Sequence, residues 1–384
     1  MKIELTPQQK QDQATFKAFV QDEIMPTANQ YDQEEITPPD LIQKVARMGY
    51  LGALAPREYN GAGMDMITFG LLAEELGRGC SSIRSLLTVH SMVVHAILRW
   101  GSSHLKETWL PRLATGETLG AFGLSEPNAG SDAQSIETTA ALCGNDYVLN
   151  GTKKWTTYGQ IANLYLIFAR YEGKICAFLV ERCTPGLEVK PLTGILGTHA
   201  SMLAEIHLRD CRIPKTNMVG GRGFGLASVA TSALDIGRYT VAWGCVGIAQ
   251  ACLDASLHYT SQRKQFGVLL KEHQLIQQMI TNMLTNVQAA RLLCYQSGYM
   301  KDMGDPNTVM ATWVAKYFAS ISASNAARDA VQIHGANGCS QQYDVQRYLR
   351  DTVVMEIIEG STQIQQVTLA QYAYQAYAAN LQIA

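Results

Sequence analysis

The strongest constraint in this chain is a periodicity that changes twice. Residues 1 to about 116 carry apolar side chains at helical spacing. From about Leu119 short runs alternate between turn signals, and after Gly225 helical spacing returns to the end. In the first block, Phe16, Phe19 and Val20 follow Thr6-Pro7, Asp40–Met48 reads as a short helix closed by Gly49, and Met66–Leu76 and Ser81–Trp100 continue the pattern. In the second, Thr138–Leu142, Tyr147–Asn150, Leu164–Ala169, Cys176–Val180 and Glu205–Arg209 read as strands. Gly144-Asn145-Asp146 and Tyr171-Glu172-Gly173-Lys174 sit where hairpins reverse. In the third, long helices are expected over 225–261, 272–303, 307–335 and 362–380, lengths that suit a four-helix bundle. The expected fold class is α+β: an N-terminal helical domain (1–117), a middle antiparallel β domain (118–221) and a C-terminal four-helix bundle (222–384).

Composition narrows the partners. With 47% apolar and 17% charged residues the chain is neither disordered nor fibrous. Thirty-one Lys and Arg against 33 Asp and Glu leave a net charge of −2, so no nucleic-acid partner is expected. Nine cysteines without a C-x-x-C pair read as reduced, mostly buried thiols of a cytoplasmic protein. MKIELTPQQKQDQ lacks the apolar stretch of a signal peptide. No run reaches about 18 uninterrupted apolar residues, since Val89–Leu98 is broken by His90 and His95 and ends at Arg99, so no membrane span is expected.

Several motifs are set aside. Gly220-Gly221-Arg222-Gly223-Phe224-Gly225 has no βαβ unit around it, so it reads as a joint between blocks rather than a dinucleotide loop. His90 and His95 stand five apart, off a shared helix face, and no metal site is expected. No G-x-S-x-G surrounds a serine.

Two segments remain. Leu124-Ser125-Glu126-Pro127-Asn128-Ala129-Gly130-Ser131-Asp132 follows a strand and offers hydroxyls and backbone N–H groups to an anionic or heteroaromatic ligand, although alone it also reads as an ordinary polar loop. Ile357-Ile358-Glu359-Gly360-Ser361-Thr362-Gln363 sets a carboxylate among apolar neighbours before a helix. That setting raises a carboxyl pKa toward the range of a general base, but it equally describes an acid placed at a helix N-terminus.

Together, in this order and with a β block between helical blocks, these segments resemble the acyl-CoA dehydrogenase family of flavoproteins along essentially the whole chain. Trp155-Thr156-Thr157, Arg263-Lys264-Gln265-Phe266-Gly267 and Gln332-Ile333-His334-Gly335-Ala336-Asn337-Gly338 carry the same resemblance. It implies FAD between the β domain and the C-terminal bundle, in a homotetramer or homodimer. Phe122, Leu124, Ser125, Gly130, Ser131, Trp155 and Thr157 match positions at the flavin and its pyrophosphate. Arg263, Phe266, Gln332 and Gly335 match positions that reach a neighbouring subunit's FAD, and Ser361 and Gln363 match further contacts. Ser361 replaces the more usual threonine, and Ala336 stands where some relatives have a second glycine. Glu359 matches the catalytic base. The alternative branch carries its base near Asp235–Arg238, where this chain has Gly237, and Arg238 matches an arginine beside the base.

The resemblance further implies proton removal by Glu359, hydride transfer to the flavin, and stabilisation of the thioester carbonyl by the Glu359 N–H and a flavin hydroxyl. The acyl pocket departs from fatty-acid specialists. Arg84 and Thr88 are four apart on one helix face with Ser85 beside them, and an arginine there is similar to glutaryl-CoA dehydrogenase, where it holds a substrate carboxylate. Its bland alternative is an ion pair with a neighbouring acid. The same string, with Tyr343–Arg347 and Val354–Thr362, also resembles the dehydrogenases of polyketide pathways that make hydroxymalonyl or methoxymalonyl extender units on an acyl carrier protein. The expected function is FAD-dependent oxidation of a short, polar, carrier-bound acyl thioester. The alternatives are a short or dicarboxylic acyl-CoA and a carrier-bound aminoacyl group, with an electron-transfer flavoprotein or O2 as acceptor. A flavin-binding subunit without turnover would have no use for Glu359.

Overall fold

The computed structural model describes residues 4–383, with side chains described through 378; the first three residues of the leading segment and the last residue of the third block lie outside. Six helices come first: α1 (Pro7–Phe19), α2 (Ala28–Glu34), α3 (Pro39–Arg47), α4 (Met66–Gly79), α5 (Ser81–Trp100) and α6 (Ser103–Ala114). Thr6 caps α1 in a reciprocal capping box with Gln9. Eight strands follow: β1 (Gly120–Gly123), β2 (Thr139–Cys143), β3 (Asp146–Thr156), β4 (Leu164–Tyr171), β5 (Lys174–Glu181), β6 (Leu187–Pro191), β7 (Ala204–Pro214) and β8 (Met218–Val219). The chain then forms α7 (Thr231–Thr260), a small hairpin of β9 (Lys264–Gln265) and β10 (Val268–Leu269), α8 (Gln274–Asp302), α9 (Thr308–His334), α10 (Val345–Ile357) and α11 (Thr362–Ile383).

The sheet runs β6-β7-β3-β2-β4-β5-β8, with β1 on β4. Its ladders are mostly antiparallel, but β1 pairs parallel with β4 (Gly120↔Leu164), and β2 touches β4 in parallel at Thr139↔Arg170. The antiparallel expectation for the middle block is corrected to a mixed sheet. A parallel neighbour needs a long connection, and β1 reaches β4 through the polar loop and the β2–β3 hairpin. Glu172 and Gly173, both at positive φ, make the β4–β5 reversal.

One apolar core is shared by the two helical blocks, drawing on Phe69, Leu72 and Leu86 from the first and Tyr239, Trp243 and Val246 from the last. Helices α4 and α7 meet almost backbone to backbone: a Cβ at Gly77 would lie 2.6 Å from the Gly244 Cα. A second cluster joins α5 and α6 to one face of the sheet, and a third covers the other face. Two helical stretches, Ser81–Trp100 and Gly225–Thr260, are long and apolar enough to cross a membrane, but 89% and 78% of their windows are buried, as core helices are. The glycine run after β8 is a tight joint: a Cβ at Gly225 would sit 2.6 Å from the Cys176 backbone of β5.

Candidate active site

Glu359 stands on a short turn between α10 and α11, at φ 58°, with Gly360 at φ 97°. A non-glycine residue in the left-handed region costs on the order of 1 kcal/mol and persists only where its surroundings hold it. Here α7 and α9 hold it. Arg238 Nε donates to the Glu359 carbonyl (2.9 Å), while Lys316 Nζ (3.0 Å) and Gln365 Nε2 (2.8 Å) both donate to the Gly360 carbonyl. Ser361 caps α11, its hydroxyl accepting from the Ile364 N–H at 3.4 Å.

The Glu359 carboxylate turns inward, and its Oε2 is buried with no hydrogen-bond partner among the described residues. It occupies space that α7 vacates: a Cβ at Gly237 would lie 2.5 Å from Oε2 and 3.0 Å from Met92 Sδ. Burial pushes the carboxyl pKa up, and Arg238, Lys316 and Arg84 pull against it. A carboxyl displaced in this direction is suited to taking a proton.

Arg84 is fully buried on α5. Its Nη1 donates to Thr88 Oγ1 (2.9 Å) and its Nη2 to Ser81 Oγ (3.4 Å) and Met355 Sδ (3.2 Å), while its Nε is buried without a partner among the described residues. Among the described residues it makes no ion pair, so the reading of Arg84 as one half of a structural salt bridge is not met. Thr88 also touches Thr240 Oγ1 (2.9 Å), which donates to the Gly237 carbonyl (2.9 Å), so a hydrogen-bonded chain links Arg84 to the ground beneath Glu359. Ser85 lies beside it, bonded to Ser201 at 3.0 Å. Arg238 is buried over the face of Trp313, its guanidinium carbon 4.2 Å from the ring centre.

The second group gathers where β1 and β3 end. The Lys154 N–H donates to the Ser125 carbonyl (2.9 Å), tying the polar loop to β3. The β3–β7 register slips between Lys153 and Thr156, and Trp155 takes φ 62° with 53% of its surface exposed. Leu124 is buried and Phe122 packs its ring on Phe168 at 5.1 Å. Ser125 and Thr157 are half-buried, whereas Gly130, Ser131 and Gln363 are exposed. An exposed indole, four hydroxyls (Ser125, Ser131, Thr157, Ser361) and an unpartnered carboxylate oxygen fit a large heteroaromatic group with a polar tail.

Arg263, Phe266, Gln332 and Gly335 do not join this cluster. They lie at the far end of α7, where Tyr259 stacks on His334 at 4.2 Å. The 22 residue-to-residue steps along α7 from Gly237 to Tyr259 span about 33 Å. All four are exposed, Phe266 to 96% at the tip of the β9–β10 hairpin.

Three buried neighbours of these groups had no role in the sequence reading. Lys153 is buried on β3, donating to Glu126 Oε1 (2.6 Å) and to the Leu124 carbonyl (3.1 Å). Glu126 also accepts the Glu137 and Thr138 N–H groups, so this ion pair staples the polar loop from below. Burial pushes the Glu126 carboxyl up, but these donors together hold it below its usual range. Lys316 is the third, fully buried on α9. Parity was the available signal: Lys153 shares the inward face of Tyr147 and Leu149, and Lys316 falls in the small-residue stripe Thr312, Ala315, Ala319 and Ala323.

Comparison with known proteins accounts for all three blocks. The chain matches the acyl-CoA dehydrogenase N-terminal domain over residues 6–117, the middle domain over 121–211 and the C-terminal domain over 221–373. It is 36% identical to the short-chain specific mitochondrial acyl-CoA dehydrogenase of Rattus norvegicus over 98% of this chain and 92% of that one. A glutaryl-CoA dehydrogenase solved with glutaryl-CoA superposes with TM-score 0.93 at 35% identity, covering 96% of each chain. FkbI, described as serving biosynthesis of the methoxymalonyl extender unit of a polyketide, superposes with TM-score 0.87 at 32% identity, covering 95% of this chain and 99% of that one. A related glutaryl-CoA dehydrogenase has been solved with FADH2. With the buried carboxylate and the β-end cradle, these matches identify the chain as a member of the acyl-CoA dehydrogenase family, FAD-dependent oxidoreductases that oxidise acyl thioesters.

Proposed function

We propose that this enzyme oxidises a short acyl thioester whose far end carries a carboxylate or a strong hydrogen-bond acceptor, delivered on an acyl carrier protein. The observation that carries this reading is an imbalance of buried charge. Arg84, Arg238 and Lys316 all act on Glu359, and none makes an ion pair among the described residues. A buried cation without a counter-ion is expensive, and an anionic acyl end would supply one to Arg84. Guanidinium and carboxylate make the bidentate pair that a fixed arginine favours.

In this reading Glu359 takes the proton from the carbon next to the thioester carbonyl, and FAD, when bound, accepts the hydride from the adjacent carbon. For an aldehyde-level acyl group Glu359 would instead take the proton of a hydrate hydroxyl while the hydrate carbon gives up its hydride to the bound flavin, and the resulting carboxylate would lie at Arg84. The Glu359 N–H would steady the thioester oxygen. Ser125, Ser131, Trp155, Thr157, Ser361 and Gln363 would hold the flavin, with Phe122, Leu124 and Gly130 shaping the loop. Arg263, Phe266, Gln332 and Gly335, about 33 Å away along α7, would complete the FAD site of a second copy in a homo-oligomer. The likeness to FkbI supports the carrier-bound reading. The likeness to glutaryl-CoA dehydrogenases supports a second one, in which the same arginine reads a dicarboxylic acyl-CoA.

The test is anaerobic bleaching of the bound flavin by matched thioesters on coenzyme A and on a carrier protein. Acidic or oxygenated acyl groups should bleach fastest, and Arg84→Met should slow them at least tenfold while FAD stays bound. Equal rates for butyryl and acidic thioesters, unchanged in Arg84→Met, would overturn the reading. Admitting an electron-transfer flavoprotein, or air, to the reduced enzyme identifies the acceptor.

A further inference from the structure

We infer that Lys316 is a positioning residue for the catalytic base: it fixes the Glu359-Gly360 turn through the Gly360 carbonyl and supplies part of the charge that keeps the Glu359 carboxyl ready to ionise. The inference rests on Glu359 being the base.

Three observations carry it. The first is reach. Lys316 runs fully buried from α9 to the turn, and its Nζ ends on the Gly360 carbonyl at 3.0 Å. The second is pairing. Arg238 Nε grips the preceding carbonyl, that of Glu359, at 2.9 Å, so two cations from different helices hold successive peptide oxygens of a turn at φ 58° and 97°. Helix α9 builds both arms, because Trp313, one turn before Lys316, is the platform on which the Arg238 guanidinium lies. The third is the missing counter-ion. A buried ammonium that needed only structural satisfaction would be expected beside a carboxylate, as Lys153 is beside Glu126 and Lys301 beside Asp235. Lys316 makes no ion pair among the described residues. The charged and titratable groups acting on it are Cys245 and Arg238 of α7, Glu356 of α10 and Glu359 itself. Those acting on Glu359 are Arg238, Lys316 and Arg84.

The two roles are separable because Gln365 Nε2 donates to the same Gly360 carbonyl without a charge. Losing Lys316 removes a cation that favours the ionised carboxylate, so burial acts with less opposition and Glu359 ionises at higher pH. Losing Gln365 loosens the turn without that electrostatic change. Burial pushes the Lys316 amine down to about 8. Its charge is therefore present across the acid limb, where the comparison is made.

The experiment compares pH profiles of kcat/KM for Lys316→Met, Lys316→Gln, Lys316→Arg and Gln365→Met in the FAD-loaded enzyme, with flavin content and melting temperature for each. The acid limb of the Met and Gln variants should move upward by about one pH unit, a tenfold loss at a fixed pH on that limb. Arg should restore it, and Gln365→Met should lower the plateau with the limb unmoved. The same limb in wild type, Lys316→Gln and Lys316→Arg would overturn the inference, even if Lys316→Met did not fold. Failure of the underlying reading looks different: Glu359→Gln would still bleach its flavin.

Discussion

Adding one methyl group at Gly237 tests the placement of Glu359 as the proposed base directly. In Gly237→Ala the new Cβ would sit 2.5 Å from Glu359 Oε2 and 2.6 Å from its Cδ, with Met92 Sδ at 3.0 Å. An unstrained non-bonded contact needs about 3.5 Å, so the carboxylate must retreat by about 1 Å. Met92 can give way, being flexible, but Glu359 has little freedom because its own carbonyl and that of Gly360 are held by Arg238 and Lys316. A displacement of about 1 Å at a reacting group costs roughly 100-fold in rate, or about 2.7 kcal/mol on the barrier. The methyl group does not weaken the helix itself, since alanine inside a helix is favoured over glycine by about 1 kcal/mol. Stopped-flow flavin reduction under anaerobic conditions, with melting temperature and flavin content as controls, separates the two effects. Gly237→Ala should keep its FAD and lose the fast phase. Reduction within threefold of wild type would mean that the carboxylate does not work from this position beside α7.

Other substitutions probe the electrostatics. Glu359→Gln should stay yellow and lose bleaching by substrate. Burial raises the Glu359 carboxyl, so the protein is favoured below about pH 4.3, where the acid is neutral in both states, and loses that advantage as pH rises. The amide variant should therefore melt higher than wild type at pH 8 and no higher near pH 4. Lys153→Met leaves Glu126 with two backbone donors and no cation, a change expected to cost about 3–5 kcal/mol and to release FAD by freeing the polar loop. Glu126 itself lies low, so its contribution is present at neutral pH and lost as pH falls through its folded value, below the usual carboxylate range. Loop-linked flavin release on acidification should begin there.

Much of this was legible because two periodicities do not resemble each other. Ser81–Trp100 and the four long helices of the last block follow from spacing and punctuation, and the hairpin at Glu172-Gly173 from its turn residues. The parallel pairing of β1 with β4 was not legible, because strand direction in the sheet depends on how the intervening loop crosses, which alternation along one strand does not encode. Glu359 stood out as a carboxylate among apolar neighbours. Lys153 and Lys316 did not, since a lysine in a strand or helix is usually solvated, and only its parity within the element marks it as buried. That Arg238 reaches a backbone carbonyl of the base turn depends on a contact 121 positions away, which no local pattern contains.

The sharing of one apolar interior by α4, α5 and α7 has a consequence for biosynthesis. The face of residues 66–100 that receives Tyr239, Trp243 and Val246 is completed only by chain made more than 130 residues later. Until the ribosome has released α7, that greasy surface stays bare beside a sheet that can already form, a high-contact-order arrangement that favours association with the wrong partner. Truncated products ending within or just after the sheet should therefore be the most chaperone-dependent forms of this polypeptide.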